Sequence, residues 1–167
     1  MYLKTVCALT LLACAFPAHA DGTAAALYKT GSLAVDASSP DISMQLRLLM
    51  TRGAGLVDGK QAPTTAEVVA ILKDAAKLFV FPDAAKCQVE SANAFAVDTQ
   101  GKPTTAEGNI QAMYRFHCEG AKSGRIDKLG IRFSEHLPGL DKLKLQATTD
   151  KGEITQELSP PNGDVAL

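Results

Sequence analysis

The chain has 167 residues, with 17 Lys and Arg against 18 Asp and Glu, a net charge of −1, four Cys, three His and no Trp. That length holds one domain, and a balanced charge without a basic block excludes the concentrated cationic face of a nucleic-acid binder. At 46% hydrophobic and 21% charged residues the composition is globular, which excludes wholesale disorder.

Residues 1–20 have the layout of a secretory signal. Lys4 stands near the amino terminus, an apolar run follows, and Pro17 precedes the small-x-small triplet Ala18-His19-Ala20, with cleavage before Asp21. The apolar run is too short for a bilayer span of about 20 residues, so no transmembrane segment is expected in the mature chain. A minor reading takes Leu11-Leu12-Ala13-Cys14 as a lipoprotein signal that leaves a lipidated Cys14. Either way the chain is expected in the periplasm. Removing the signal takes Cys7, Cys14 and His19 with it and leaves Cys87, Cys118, His117 and His136. Two cysteines in an oxidising compartment form a disulfide by default.

In chain order, residues 27–38 alternate weakly, as a strand does. Residues 41–51 alternate clearly: Ile42, Met44, Leu46, Leu48 and Met50 fall on one face, with Ser43, Gln45 and Arg47 on the other. The Gly-rich stretch 52–62 reads as a loop. Thr64 and Glu67 have capping-box spacing and open a helix over about 65–79 that buries Val68, Val69, Leu72, Ala75, Ala76 and Phe79. The pentapeptide PTTAE recurs at 103–107 without the apolar period, so it marks no internal repeat.

Residues 86–97 and 109–118 form a hairpin pattern. Cys87, Val89 and Phe95 share one face of the first strand; Ile110, Ala112, Tyr114, Phe116 and Cys118 share one face of the second. Placing Cys87 opposite Cys118 centres the turn in the Gln100-Gly101-Lys102-Pro103 loop, and sets Val89 against Phe116 and Phe95 against Ile110. Directly opposed strand residues lie within disulfide reach. Strands follow at 128–133, 143–147 and 154–158, the last two joined by a hairpin turn. The expected fold is α+β: an antiparallel sheet of about six strands with one main helix packed on it and one disulfide. The domain runs over 21–158, and 159–167 is expected as a flexible C-terminal tail.

Little chemistry is marked. Zinc needs three or four converging N, S or O ligands; with the cysteines bridged, His117 and His136 are expected as isolated surface histidines, and a site of one His with carboxylates has no sequence signature. Adjacent strand residues point to opposite faces, so His117 and Cys118 cannot act as a pair. There is no G-x-S-x-G elbow, P-loop or dinucleotide fingerprint. Glu135 and Asp141 read as a solvated turn rather than an acid pair. No catalytic residue is assigned.

Several stretches together resemble the ZrgA-type family of periplasmic proteins implicated in zinc acquisition. They are Ser39-Pro40; the segment 57–87 with Ala62-Pro63, Leu78-Phe79 and Ala84-Ala85-Lys86-Cys87; the run Ala112-x-Tyr114-x-Phe116-x-Cys118; and Leu137-Pro138-Gly139 through Ala147-Thr148-Thr149. The resemblance implies an exported, non-enzymatic protein that binds zinc through histidines. At the positions where it places ligands, this chain departs from it. Gln61 stands where the family has His before Ala-Pro, and Glu107-Gly108-Asn109 stands where it has His-Ser-Asp. The amino-terminal His-x-His-Gly is Asp21-Gly22-Thr23-Ala24, and the loop between the cysteine strands lacks a His- and Asp-rich insert. The expectation is a degenerate zinc-handling protein with weak or no zinc binding, and with no cofactor other than the zinc that the resemblance suggests. The alternative is an envelope interaction module, a scaffold, inhibitor or chaperone-like protein, with an unidentified protein partner and no metal role.

Overall fold

The computed structural model describes residues 26–37, 40–52, 56–57, 60–120, 126–161 and 163–167. The signal segment and Asp21 to Ala24 lie outside the described residues, as does Ser39. Among the described residues, twelve strands and three α-helices follow one another as β1 (Ala26–Ala37), β2 (Asp41–Arg52), β3 (Leu56–Val57), β4 (Lys60–Gln61), α1 (Thr65–Leu72), α2 (Ala75–Leu78), β5 (Phe79–Val80), β6 (Cys87–Val97), β7 (Pro103–Thr104), β8 (Asn109–Cys118), β9 (Lys128–Ile131), α3 (Phe133–His136), β10 (Lys142–Thr149), β11 (Gly152–Leu158) and β12 (Asp164–Ala166).

The α+β class is observed, with a main sheet of seven strands rather than about six, in the order β11-β10-β1-β2-β8-β6-β7. Its pairs are antiparallel except β1 with β10, which run parallel from Thr30 opposite Lys142 to Ala37 opposite Thr149. The alternation in the sequence decides which face is buried. Leu33 and Val35 of β1, Ile42, Met44, Leu46 and Leu48 of β2, Ile110, Ala112, Tyr114 and Phe116 of β8, and Leu143 and Leu145 of β10 all point inward. They join one core with Val68 and Leu72 of α1, Leu78 of α2, Phe79, Leu129, Ile131 and Phe133. A small sheet, β12-β9-β5, belongs to this covering layer.

The helix departs from its expected length. α1 starts as read, with Thr64 and Glu67 completing a capping box, but it stops at Leu72 instead of running to Phe79. The amides of Lys73 and Asp74 bond three residues back, to Ala70 and Ile71, which tightens and ends the last turn. Asp74 then leaves helical geometry at φ −92°, ψ 70°, as a residue whose short carboxylate disfavours helix interiors does readily. The break lets Phe79 pair with Ile131 as a strand. There its ring meets Tyr114, Phe116 and Phe133 edge-on, with centroids 4.9, 5.8 and 5.3 Å away, a favourable quadrupolar arrangement.

The Cys87–Cys118 disulfide forms as expected, between directly opposed residues. Val89 faces Phe116 as expected, but the register then shifts: Ser91 faces Arg115 and Glu90 is left over as a β-bulge. One inserted residue moves every later side chain to the other face. Phe95 therefore faces Gln111, not Ile110, and Ala92, Ala94 and Ala96 take the inward places opposite Tyr114, Ala112 and Ile110. Small side chains fit where the large Tyr114 already fills the layer.

Residues 159–167 are expected as a flexible tail from their Pro and Gly content, but Asp164 to Leu167 are tied into the fold. Asp164–Ala166 pairs with β9, Val165 is 1% exposed, and the Leu167 amide bonds to the Asp127 carbonyl at 2.9 Å. Asp164 bridges Lys128 at 2.6 Å and Arg132 at 2.9 Å, and the hydrogen bond from Lys128, followed by that from Arg132, holds its carboxyl below the usual carboxylate range.

The disulfide closes a segment with a sequence separation of 31. Replacing both Cys87 and Cys118 with Ser is expected to lower unfolding stability by about 3–4 kcal/mol in the chain-entropy picture, read from urea or guanidinium midpoints. No change beyond about 1 kcal/mol would contradict a constraint on the unfolded chain.

Candidate functional site

Gln61, Glu107 and Asn109 belong to one end of the molecule. The Tyr28 hydroxyl donates to the Gly108 carbonyl at 3.1 Å and accepts from the Thr65 hydroxyl at 3.0 Å, so it ties the start of α1 to the 107–109 segment. Burial raises the Tyr28 pKa most, the Thr65 bond opposes it, and the negative Glu107 adds a smaller upward push. Ala62 packs against Leu27 beside it. Gly108 is a tight fit: a Cβ there would clash with the Val97 carbonyl oxygen. The Asn109 side-chain oxygen already accepts the Met50 amide at 3.0 Å. What this end offers a cation is therefore an exposed amide at Gln61, one exposed carboxylate at Glu107 and an amide whose oxygen is engaged. That is a poor set for zinc, which prefers Cys, His and carboxylate ligands.

The opposite end of β8 is richer. His117 lies eight positions along β8 from Asn109, about 27 Å at the usual rise. Here β2, β8 and β6 lie side by side, and alternation turns Asp41 and His117 to the outer face as a directly opposed pair. His117 Nδ1 and Asp41 Oδ1 are 2.6 Å apart, with 48% and 56% of the two side chains exposed. The bulge places Glu90 beside them. Among the described residues, only Asp41, Glu90 and His117 bring three metal-ligating atoms within 4.8 Å of one another. His117, expected to stand alone, does not. His136 ends α3 and joins no such group among the described residues, and Glu135 lies 3.8 Å from Arg132.

The hydrogen bond that His117 donates to Asp41 is the main cause that raises its pKa, with smaller upward contributions from Glu90 and Glu119. Lys86 lies 3.7 Å from Glu119 and partly balances it. Next along the strands, Ser43 faces Arg115; both line an open hollow of about 710 Å³ on the outer face, with Gln45, Asn93 and Thr148. Its lining mixes polar side chains with apolar ones such as Met113 and Ile154. The Asp41–His117 pairing escaped the sequence because no turn joins β2 to β8. The cysteine register set only Gln88 opposite His117, and it did not foresee the bulge.

The family model described as ZrgA family zinc uptake protein matches residues 57–167. The chain belongs to the ZrgA family. No curated protein matches it. The ZrgA match takes in Gln61, Glu107 and Asn109, and also Glu90 and His117, whereas Asp41 precedes it. Among the described residues, no helix is long and apolar enough to cross a membrane.

A raised His117 pKa means that the Asp41 pair stabilises the fold fully below the ordinary imidazole value of 6.5 and loses that contribution as pH rises through the folded midpoint. An NMR titration is expected to place the His117 midpoint above 6.5 and Asp41→Asn to bring it down. A midpoint indifferent to Asp41→Asn would disprove the pairing.

Proposed function

We propose that this ZrgA-family chain is an exported, non-catalytic periplasmic protein of zinc handling, released by cleavage after Ala20, whose ligand set at positions 61, 107 and 109 is degenerate. The observation that carries this reading is the content of that end. Tyr28 ties the start of α1 to the 107–109 segment, yet Gln61 and Asn109 present amides and Glu107 a single carboxylate. Zinc binding at that end is weak or absent for want of imidazole and thiolate ligands. The chain acts by weakly holding and passing on zinc, with no reaction of its own.

Rebuilding the ligands tests this reading. The variant Gln61→His, Glu107→His, Asn109→Asp is expected to gain zinc affinity by at least tenfold, about 1.4 kcal/mol, in competition titrations. A rebuilt protein that binds zinc no more tightly than the parent would show that these positions do not converge on a metal. Fractionation of the native host is expected to find the protein in the periplasm with Asp21 as its amino terminus; retention in the cytoplasm would refute export.

A further inference from the structure

We propose that Asp41, Glu90 and His117 form a second, surface zinc site, at the opposite end of β8 from the family's ligand positions and open to solvent on one side. The inference rests on the zinc-handling reading and deepens it by moving the point of contact with the ion.

Three observations carry it. The first is donor chemistry and distance. An imidazole and two carboxylates are a ligand set zinc uses, at about 2.0–2.2 Å per bond, so two ligands of one tetrahedral ion stand about 3.5 Å apart. The three atoms here lie within 4.8 Å of one another. Rotations of exposed side chains close the remaining gap, about an ångström by the same geometry.

The second is the bulge. In the register set by the cysteines, Glu90 would stand opposite the cation Arg115. The inserted residue gives that place to Ser91 and leaves Glu90 with the Asp41–His117 pair. Bulges recur where a strand must re-aim one side chain. Glu90 has no ion pair among the described residues.

The third is the electrostatic setting. Asp41 and Glu90 bring two negative charges to one imidazole, and Glu119 adds a third that Lys86 only partly balances at 3.7 Å. A dication gains where such charges crowd without enough cations. The exposure that makes the site weak also leaves a coordination position for an outside ligand. An open position is the mark of exchanging rather than structural zinc.

The test uses the protein as purified from its host, with Zn²⁺ alone as probe, titrated against a chromophoric zinc chelator. His117→Ala and the size-conserving Glu90→Gln are each expected to weaken zinc binding by roughly tenfold or more, since even ligand-supporting groups are worth that much. Glu135→Gln on α3, outside both groups, is expected to leave it unchanged. Circular dichroism and a urea midpoint check that the exposed variants fold. In the parent, zinc is expected to shift the ring signals of His117 and not those of His136. Unchanged affinity in both His117→Ala and Glu90→Gln, or zinc shifts confined to His136, would overturn the proposal. If Glu107→Gln alone weakens binding, this site fails while the zinc-handling reading stands; if the parent binds no zinc, both fail.

Discussion

Burial of one face of the β2–β8 pair is the constraint from which the rest of the structure follows. Ile42, Met44, Leu46 and Leu48 face Phe116, Tyr114, Ala112 and Ile110 in strict alternation, and all are nearly inaccessible to solvent. Burying side chains of this size stabilises by about 1.5–3 kcal/mol each, so a slip of one residue along either strand is prohibitive. The same alternation leaves no freedom for the residues between. With Phe116 and Ile42 inside, His117 and Asp41 must be outside, and their register makes them neighbours. Core packing thus dictates a polar pair that takes no part in the core.

The inner face needs a cover, and Phe79 supplies its centre. Ending the helix at Leu72 and turning the chain into β5 sets that ring against Tyr114, Phe116 and Phe133. A helix continued to Phe79 would forgo the backbone pairing with Ile131. Local propensity favoured a longer helix; tertiary contacts decided otherwise. The chain's last residues complete the same layer, with Val165 and Leu167 buried beside β9.

Strand β6 serves two ends at once. Its first residue is locked to Cys118 by the disulfide, which anchors the register beside His117. Three residues later the bulge turns Glu90 out and brings alanines, instead of Phe95, against the core. Beyond it, β6 still pairs with β8 as far as Asn109, so one strand spans the region between the two candidate cation-binding ends. The ZrgA family match covers positions 61, 107 and 109 as well as Glu90 and His117, but not Asp41. The first end offers amides and one carboxylate, while the second holds an imidazole. A shallow, exposed ligand set suits a protein that passes an ion on, because a closed tetrahedral cage would hold it too firmly.

Much of this was legible in residue order. The period of two in β2 and β8, the capping box at Thr64 and Glu67, and the facing cysteines depend on near neighbours or on a hairpin with one plausible turn, so local pattern suffices. Positions 61, 107 and 109 were legible only through resemblance. The bulge, the helix break and the parallel β1–β10 pair were not legible, since each is a choice between locally similar conformations that distant packing settles. The group Asp41, Glu90 and His117 belongs to this second kind. By itself the sequence determined which residues of each strand face water; only the tertiary structure decided which of those outward residues stand together, because strand pairing across long loops is set by how the buried face packs.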